Sequence, residues 1–254
     1  MSTPIAELIS IVERLRGGDG CPWDQAQTPE SMRPYFVEET YEVLEAIDRG
    51  EPDALCEELG DLLFQIVLVS EMARQQGWFD LQDVARGIGQ KMVERHPHVF
   101  SDGHDAESSV AAWEARKAEK RGPDASLLDG VPKALPALLR AHRTGQRVSR
   151  VGFDWPDVEG VRAKVDEELA ELDEAMDQGV PEHVRAEYGD LLLATANLGR
   201  HLGIGPEEAL REANAKFDHR FRKVEDLARA AGTPLDHLDH DALEALWARA
   251  KETP

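Results

Sequence analysis

The stretch "VEETYEVLEAIDRGEPDALCEELGDLLFQ" runs from Val37 to Gln65. Apolar residues recur at helical spacing on both sides of Gly50-Glu51-Pro52. A glycine that stops one helix and a proline that starts the next define a helical hairpin. Residues three apart share a helix face, so Glu39 pairs with Glu42 and Glu58 pairs with Asp61. Glu42 precedes Gly50 by eight residues, and Glu58 follows it by eight. At about 1.5 Å of rise per residue, both lie roughly 12 Å from the bend. The hairpin therefore brings two pairs of carboxylates level with one another.

A second copy, "VDEELAELDEAMDQGVPEHVRAEYGDLLLAT", spans Val165 to Thr195. Glu168, Glu171, Gly179, Glu187 and Asp190 repeat the spacing of Glu39, Glu42, Gly50, Glu58 and Asp61. The correspondence extends outward. "CPWD" (Cys21–Asp24) precedes one copy as "FDWP" (Phe153–Pro156) precedes the other, and "KMVER" (Lys91–Arg95) follows one as "KFDHR" (Lys216–Arg220) follows the other. "WEARK" (Trp113–Lys117) and "WARAK" (Trp247–Lys251) close the halves. A period of roughly 130 residues is far longer than a solenoid repeat. It predicts two domains of one fold, at 1–120 and 136–254, joined by a linker at 121–135. The break falls in the Pro- and Gly-containing run "KRGPDASLLDGVPKALP" (Lys120–Pro136).

The fold is expected to be all-α, with four or five helices per half. Aromatic residues are only 6% of the 254, and alternating apolar-polar runs are almost absent. The opening "MSTPIAELISIVERLRGG" reads as an amphipathic helix with Ile5, Leu8, Ile9, Val12 and Leu15 on one face. The loops "GGDGCPWDQAQTPES" and "FSDGHDAESS" carry turn chemistry. The formal net charge of −21 disfavours binding to a nucleic-acid polymer or an anionic membrane. It also requires any phosphate ligand to meet a local basic cluster or a metal. Only Cys21 and Cys56 are present, and no leader or membrane-spanning run is recognised, so a reducing cytoplasm is the expected location.

Two unit charges about 4 Å apart repel by about 4 kcal/mol at an effective dielectric near ~20. Four carboxylates that close must take up protons, bind cations or splay into solvent. An all-oxygen set suits a hard divalent ion, Mg²⁺ or Mn²⁺ in its place, and not zinc. A solvated acidic face is the simpler reading of one ExxE pair, but the same four-acid geometry occurring twice argues against it. A carboxylate-bridged di-iron bundle needs Glu-x-x-His, and none of the nine histidines has a Glu three residues before it.

Glu38-Glu39-x-x-Glu42 followed by Glu58-x-x-Asp61, and Glu167-Glu168-x-x-Glu171 followed by Glu187-x-x-Asp190, resemble the motif of the MazG family of all-α nucleoside triphosphate pyrophosphohydrolases. "GCPWDQAQT" (Gly20–Thr28), "VERHPHVF" (Val93–Phe100) and "VGFDW" (Val151–Trp155) strengthen the likeness, which covers nearly the whole chain. The resemblance implies Mg²⁺-dependent hydrolysis of nucleoside triphosphates to monophosphate and pyrophosphate, with broad base tolerance and a housecleaning role in the nucleotide pool. It implies a homodimer whose subunits complete each other's bundles. It assigns metal binding to Glu168, Glu171, Glu187 and Asp190, and nucleotide contacts to Lys164, Lys216, Arg220 and Trp247.

The residues themselves fit that chemistry. Glu38 or Glu167 is a candidate to orient or deprotonate the attacking water. "NAKFDHRFRK" gathers Lys216, Arg220, Arg222 and Lys223 in an otherwise acidic chain; Lys91 and Arg95 are their counterparts in the first copy, and Trp247 can stack on a base. The halves differ behind the acids. Asn197, two turns beyond Asp190, can bond a base or sugar where the first half has Leu68. The second half is therefore expected to be the main catalyst. His96-Pro97-His98 reads as a structural helix end and Cys21 has no partner base. Gly17–Gly20 lacks the Gly-Lys-Ser/Thr of a P-loop. The competing functions are a non-catalytic nucleotide- or partner-binding regulator and a purely structural scaffold.

Overall fold

A computed structural model describes residues 3–100 and 126–252. The chain divides into two compact units, Met1–Gly122 and Pro123–Pro254. Among the described residues every regular element is a helix. The closing motif Trp113–Lys117 and most of the loop after Phe100 lie outside them.

The first unit holds α1 (Pro4–Leu15), α2 (Pro22–Ala26), α3 (Arg33–Arg49), α4 (Pro52–Gln75), α5 (Leu81–Arg95) and α6 (Pro97–Phe100). Gly50 ends α3 in the left-handed region at φ 65°, with its N–H donating to the carbonyls of Ala46 and Ile47, and Pro52 opens α4. Helices α3 and α4 form the expected antiparallel hairpin, and α1 packs on α4. Val12, Met32, Val67, Leu68 and Met72 make the buried centre, with Leu8, Ile9, Phe36 and Phe64 around it. Ile5 departs from the amphipathic pattern. It is half exposed, because it sits in the opening turn of α1, about 10 Å along the axis from buried Val12. The glycine-rich loop also holds a short helix, started by Pro22 in the position that proline favours. His96 caps α5 and Pro97 begins α6, so the His-Pro-His run does end a helix.

The second unit holds α7 (Ala137–Val148), α8 (Val158–Gln178), α9 (Pro181–His201), α10 (Pro206–Ala230) and α11 (His240–Glu252). Gly179, at φ 68°, and Pro181 repeat the turn between α8 and α9. Asp157 caps α8 by accepting a bond from the N–H of Gly160, which sets the register of the acids that follow. Helix α7 packs across α9, and α11 packs on α10. Buried Arg147 on α7 donates to the carbonyls of Leu127, Asp129 and Gly130, fastening that preceding segment to the unit. No helix among the described residues is long and apolar enough to cross a membrane.

Candidate functional site

Helix α8 carries Lys164, Glu167, Glu168 and Glu171; helix α9 carries Glu187, Asp190 and Asn197. The hairpin brings Glu168, Glu171 and Glu187 together, each offering an oxygen within 4.8 Å of the others. Glu168 is only 6% exposed. Its Oε1 accepts a bond from Lys164 Nζ at 2.9 Å, while its Oε2 is buried without a hydrogen-bond partner. Lys164 also reaches Glu167 Oε1 at 2.8 Å. Those two bonds hold the Lys164 ammonium well above the usual lysine range. Desolvation raises the Glu171 carboxyl; the Lys164 charge opposes that, and Glu168, Glu167 and Glu187 add to it.

A solvated acidic face would leave its oxygens to water. Here one oxygen is sealed away unpaired among like charges, a costly arrangement that a cation relieves. The all-carboxylate set fits a hard divalent ion. Asp190 is not part of the tight trio. It lines a cavity of about 250 Å³ with Lys164, Glu168, Asn197, Arg200 and Trp155. Glu168 thus links the trio to a space whose lining includes the Trp155 ring and the Asn197 amide.

The first unit repeats the acids and sets buried apolar side chains behind them. Glu39, Glu58 and Asp61 offer oxygens within 4.8 Å of one another, with exposed Glu42 and Glu38 beside them on α3. Burial is the largest influence raising Glu39; a bond from Gln65 Nε2 at 3.4 Å opposes it, and Asp61, Glu42 and Glu58 reinforce it. Glu58 is raised by desolvation, then by Glu42 and Asp61. Behind these acids Met32 and Leu68 are 0% exposed and fill the core. In hairpin register they correspond to Val161 and Asn197, and Tyr35 stands where the second unit has Lys164.

The remaining candidates lie elsewhere. Lys216 is exposed and Arg220 half-buried on α10, and neither lines the cavity. Trp247, on α11, packs its ring 5.1 Å from that of Phe217, with Lys251 over its face. Lys91 and Arg95 lie on α5, which packs against α4. The sequence reading missed Asp154, which bonds both Arg200 and His201; Asp154 and Arg200 line the cavity. The available signal was Arg200 three residues after Asn197, one turn along the same face.

The chain is similar to known proteins. The family model described as the MazG nucleotide pyrophosphohydrolase domain matches residues 27–100 and again 157–225. The chain is 45% identical over 246 residues to a Thermotoga maritima protein named nucleoside triphosphate pyrophosphohydrolase/pyrophosphatase MazG, covering 96% of this chain and 94% of that one. It is 45% identical over 254 residues to the Escherichia coli K12 nucleoside triphosphate pyrophosphohydrolase, covering 97% of each. A shorter match, 36% identical over 152 residues, relates 59% of this chain to 46% of a Mycobacterium tuberculosis protein of the same name. With its domain present twice and its length matched nearly end to end, this chain belongs to the MazG nucleotide pyrophosphohydrolase family.

Proposed function

We propose that the chain hydrolyses nucleoside triphosphates, ribo- and deoxyribo-, to the monophosphate and pyrophosphate, and that the second unit does most of the work. The observation that carries this reading is the meeting of Glu168, Glu171 and Glu187 beside a cavity that also holds Lys164 and Asn197. A cation held by these three acids with Asp190 beside them, Mg²⁺ with Mn²⁺ as substitute, supplies charge neutralisation for the triphosphate and the departing pyrophosphate. The chain's residues divide the rest. Lys164 holds Glu167 and Glu168 in fixed orientations. Glu167 takes the proton of the attacking water, whose oxygen bonds the α-phosphorus while the bridging oxygen leaves with pyrophosphate. Lys216 and Arg220 add positive charge for the phosphates, and Trp247 a face for the base, as the family resemblance implies.

The relatives' names support the reaction; broad base tolerance and a housecleaning role follow from the family resemblance. The first unit, with its space filled by Met32 and Leu68, serves mainly to build the assembly. That assembly is a homodimer. Val84 and Ile88 on α5, and Phe217 and Phe221 on α10, are exposed apolar residues at helical spacing, as suits faces covered by a second copy. Domain limits of 1–120 and 136–254 follow this division, and two thiols outside any disulfide suit the cytoplasm. The test is incubation with a panel of triphosphates and Mg²⁺, measuring pyrophosphate against orthophosphate. Orthophosphate as product, or tight binding without turnover, would sink the pyrophosphohydrolase reading; the latter favours a nucleotide-binding regulator.

A further inference from the structure

Asn197 Oδ1 accepts a hydrogen bond from Arg200 Nε at 2.7 Å. A guanidinium only donates, so the amide oxygen must face Arg200 and the two N–H donors of Asn197 must turn away from it. Arg200 is itself held. Its Nη2 donates to Asp154 Oδ1, an oxygen that also bonds His201 Nε2 at 2.8 Å and accepts from the N–H of Trp155 at 2.9 Å. The Arg200 and Asp154 side chains are 12% and 20% exposed, so this network is largely screened from bulk water.

Helix α7 leaves room for the network at Gly145. A Cβ on Gly145 would lie 2.9 Å from Asn197 Oδ1 and 3.0 Å from Arg200 Nε, closer than side chains tolerate. Gly145, Asp154, Trp155, Asn197 and Arg200 all line the same cavity, whose other walls include Val148 and Val161. Apolar and aromatic walls suit a planar ring better than a sugar.

We infer that Arg200 is a positioning residue that fixes the Asn197 amide with its donors toward the cavity, so that the site recognises a hydrogen-bond acceptor, a ring nitrogen or carbonyl oxygen, on the base of a nucleoside triphosphate. The inference rests on the reading that this cavity takes the nucleoside. Every common base offers such an acceptor. The device therefore separates triphosphates that carry a base from those that lack one, and discriminates weakly among bases.

Binding tests this apart from turnover. The affinity of the full chain, with Mg²⁺, is measured for an α,β-methylene nucleoside triphosphate and for the matching abasic α,β-methylene ribose triphosphate. The ratio of the abasic to the nucleoside dissociation constant should fall about tenfold in Arg200→Lys, which keeps the charge beside Asp154 but loses the fork. Gly145→Ala, which retains every polar group, should lower the same ratio. In an Asn197→Ala background, Arg200→Lys should change the ratio no further. An equal loss for both ligands, an unchanged ratio or an additive loss would overturn the inference. A wild-type ratio that behaves as described, in a protein that releases no pyrophosphate, would overturn the hydrolase reading and leave this one standing.

Discussion

Leu68 and Asn197 occupy the same position in their hairpins, seven residues beyond Asp61 and Asp190 respectively, yet Leu68 is wholly buried in a core while Asn197 lines a cavity. One substitution in each direction tests what this means. Leu68→Asn places an amide in a dry core and should cost about 2–4 kcal/mol in denaturant unfolding, with no gain of turnover. Asn197→Leu strands the screened Arg200 Nε donor, so it should cost about 1–3 kcal/mol in unfolding and also lower kcat/KM more than about tenfold, the loss of one well-placed bond to the base.

The buried, unpartnered oxygen of Glu168 separates cation binding from chemistry. Glu168→Gln should weaken Mn²⁺ binding, followed by calorimetry, by more than about tenfold, since even outer-shell changes reach that scale. Glu167→Gln should bind Mn²⁺ as the parent does and lose turnover. Full turnover in the Glu167 variant with unchanged metal affinity would remove that residue from the proton transfer.

The two kinds of carboxylate give opposite pH slopes. Burial pushes Asp154 up, but the bonds from Arg200 and His201 outweigh it and the net direction is down from 3.8. Its contribution is present above about pH 3.8 and is lost as pH falls through the lower folded value. The stability gap between parent and Asp154→Asn, measured by urea titration, should therefore narrow below that pH. Glu171 is raised, by desolvation first, so the folded state holds its proton more tightly. Metal-free protein should lose stability as pH rises from about 4.5 through the raised value, and Glu171→Gln should flatten that part of the curve.

Trp247 anchors α11 to α10 through Phe217. Trp247→Ala should destabilise by about 1–3 kcal/mol, less than for a fully buried Trp, and Trp247→Phe should recover most of it. A rise in KM that persists in the Phe variant at parental stability would mark a nucleotide contact in addition.

The hairpins, their turns and the pairing of acids across them were legible because Gly50, Pro52, Gly179 and Pro181 punctuate two helical periods at equal distances from Glu42, Glu58, Glu171 and Glu187. The filling of one unit and the hollowing of the other were only half legible. Leu68 and Asn197 were visible as a pair, but Met32 against Val161 becomes meaningful only when helices pack. Asp154 and Arg200 are 46 residues apart, and no local period links a loop aspartate to a helix two elements later. Trp247 read, through the family resemblance, as a ring able to stack on a base, and its contact with Phe217 required the crossing of α10 and α11.

Every acid of each trio comes from a single hairpin, Glu168 to Glu187 in one copy and Glu39 to Asp61 in the other. A ligand set gathered from distant parts of a chain must be reassembled after each rearrangement. This one travels as a contiguous cassette. A duplication that copies one hairpin delivers a finished set of oxygens, and the new copy is free to drift only in what lies behind them. The same compactness makes the turn intolerant of length change, since one residue inserted on one arm rotates its carboxylates by about 100° away from the other arm.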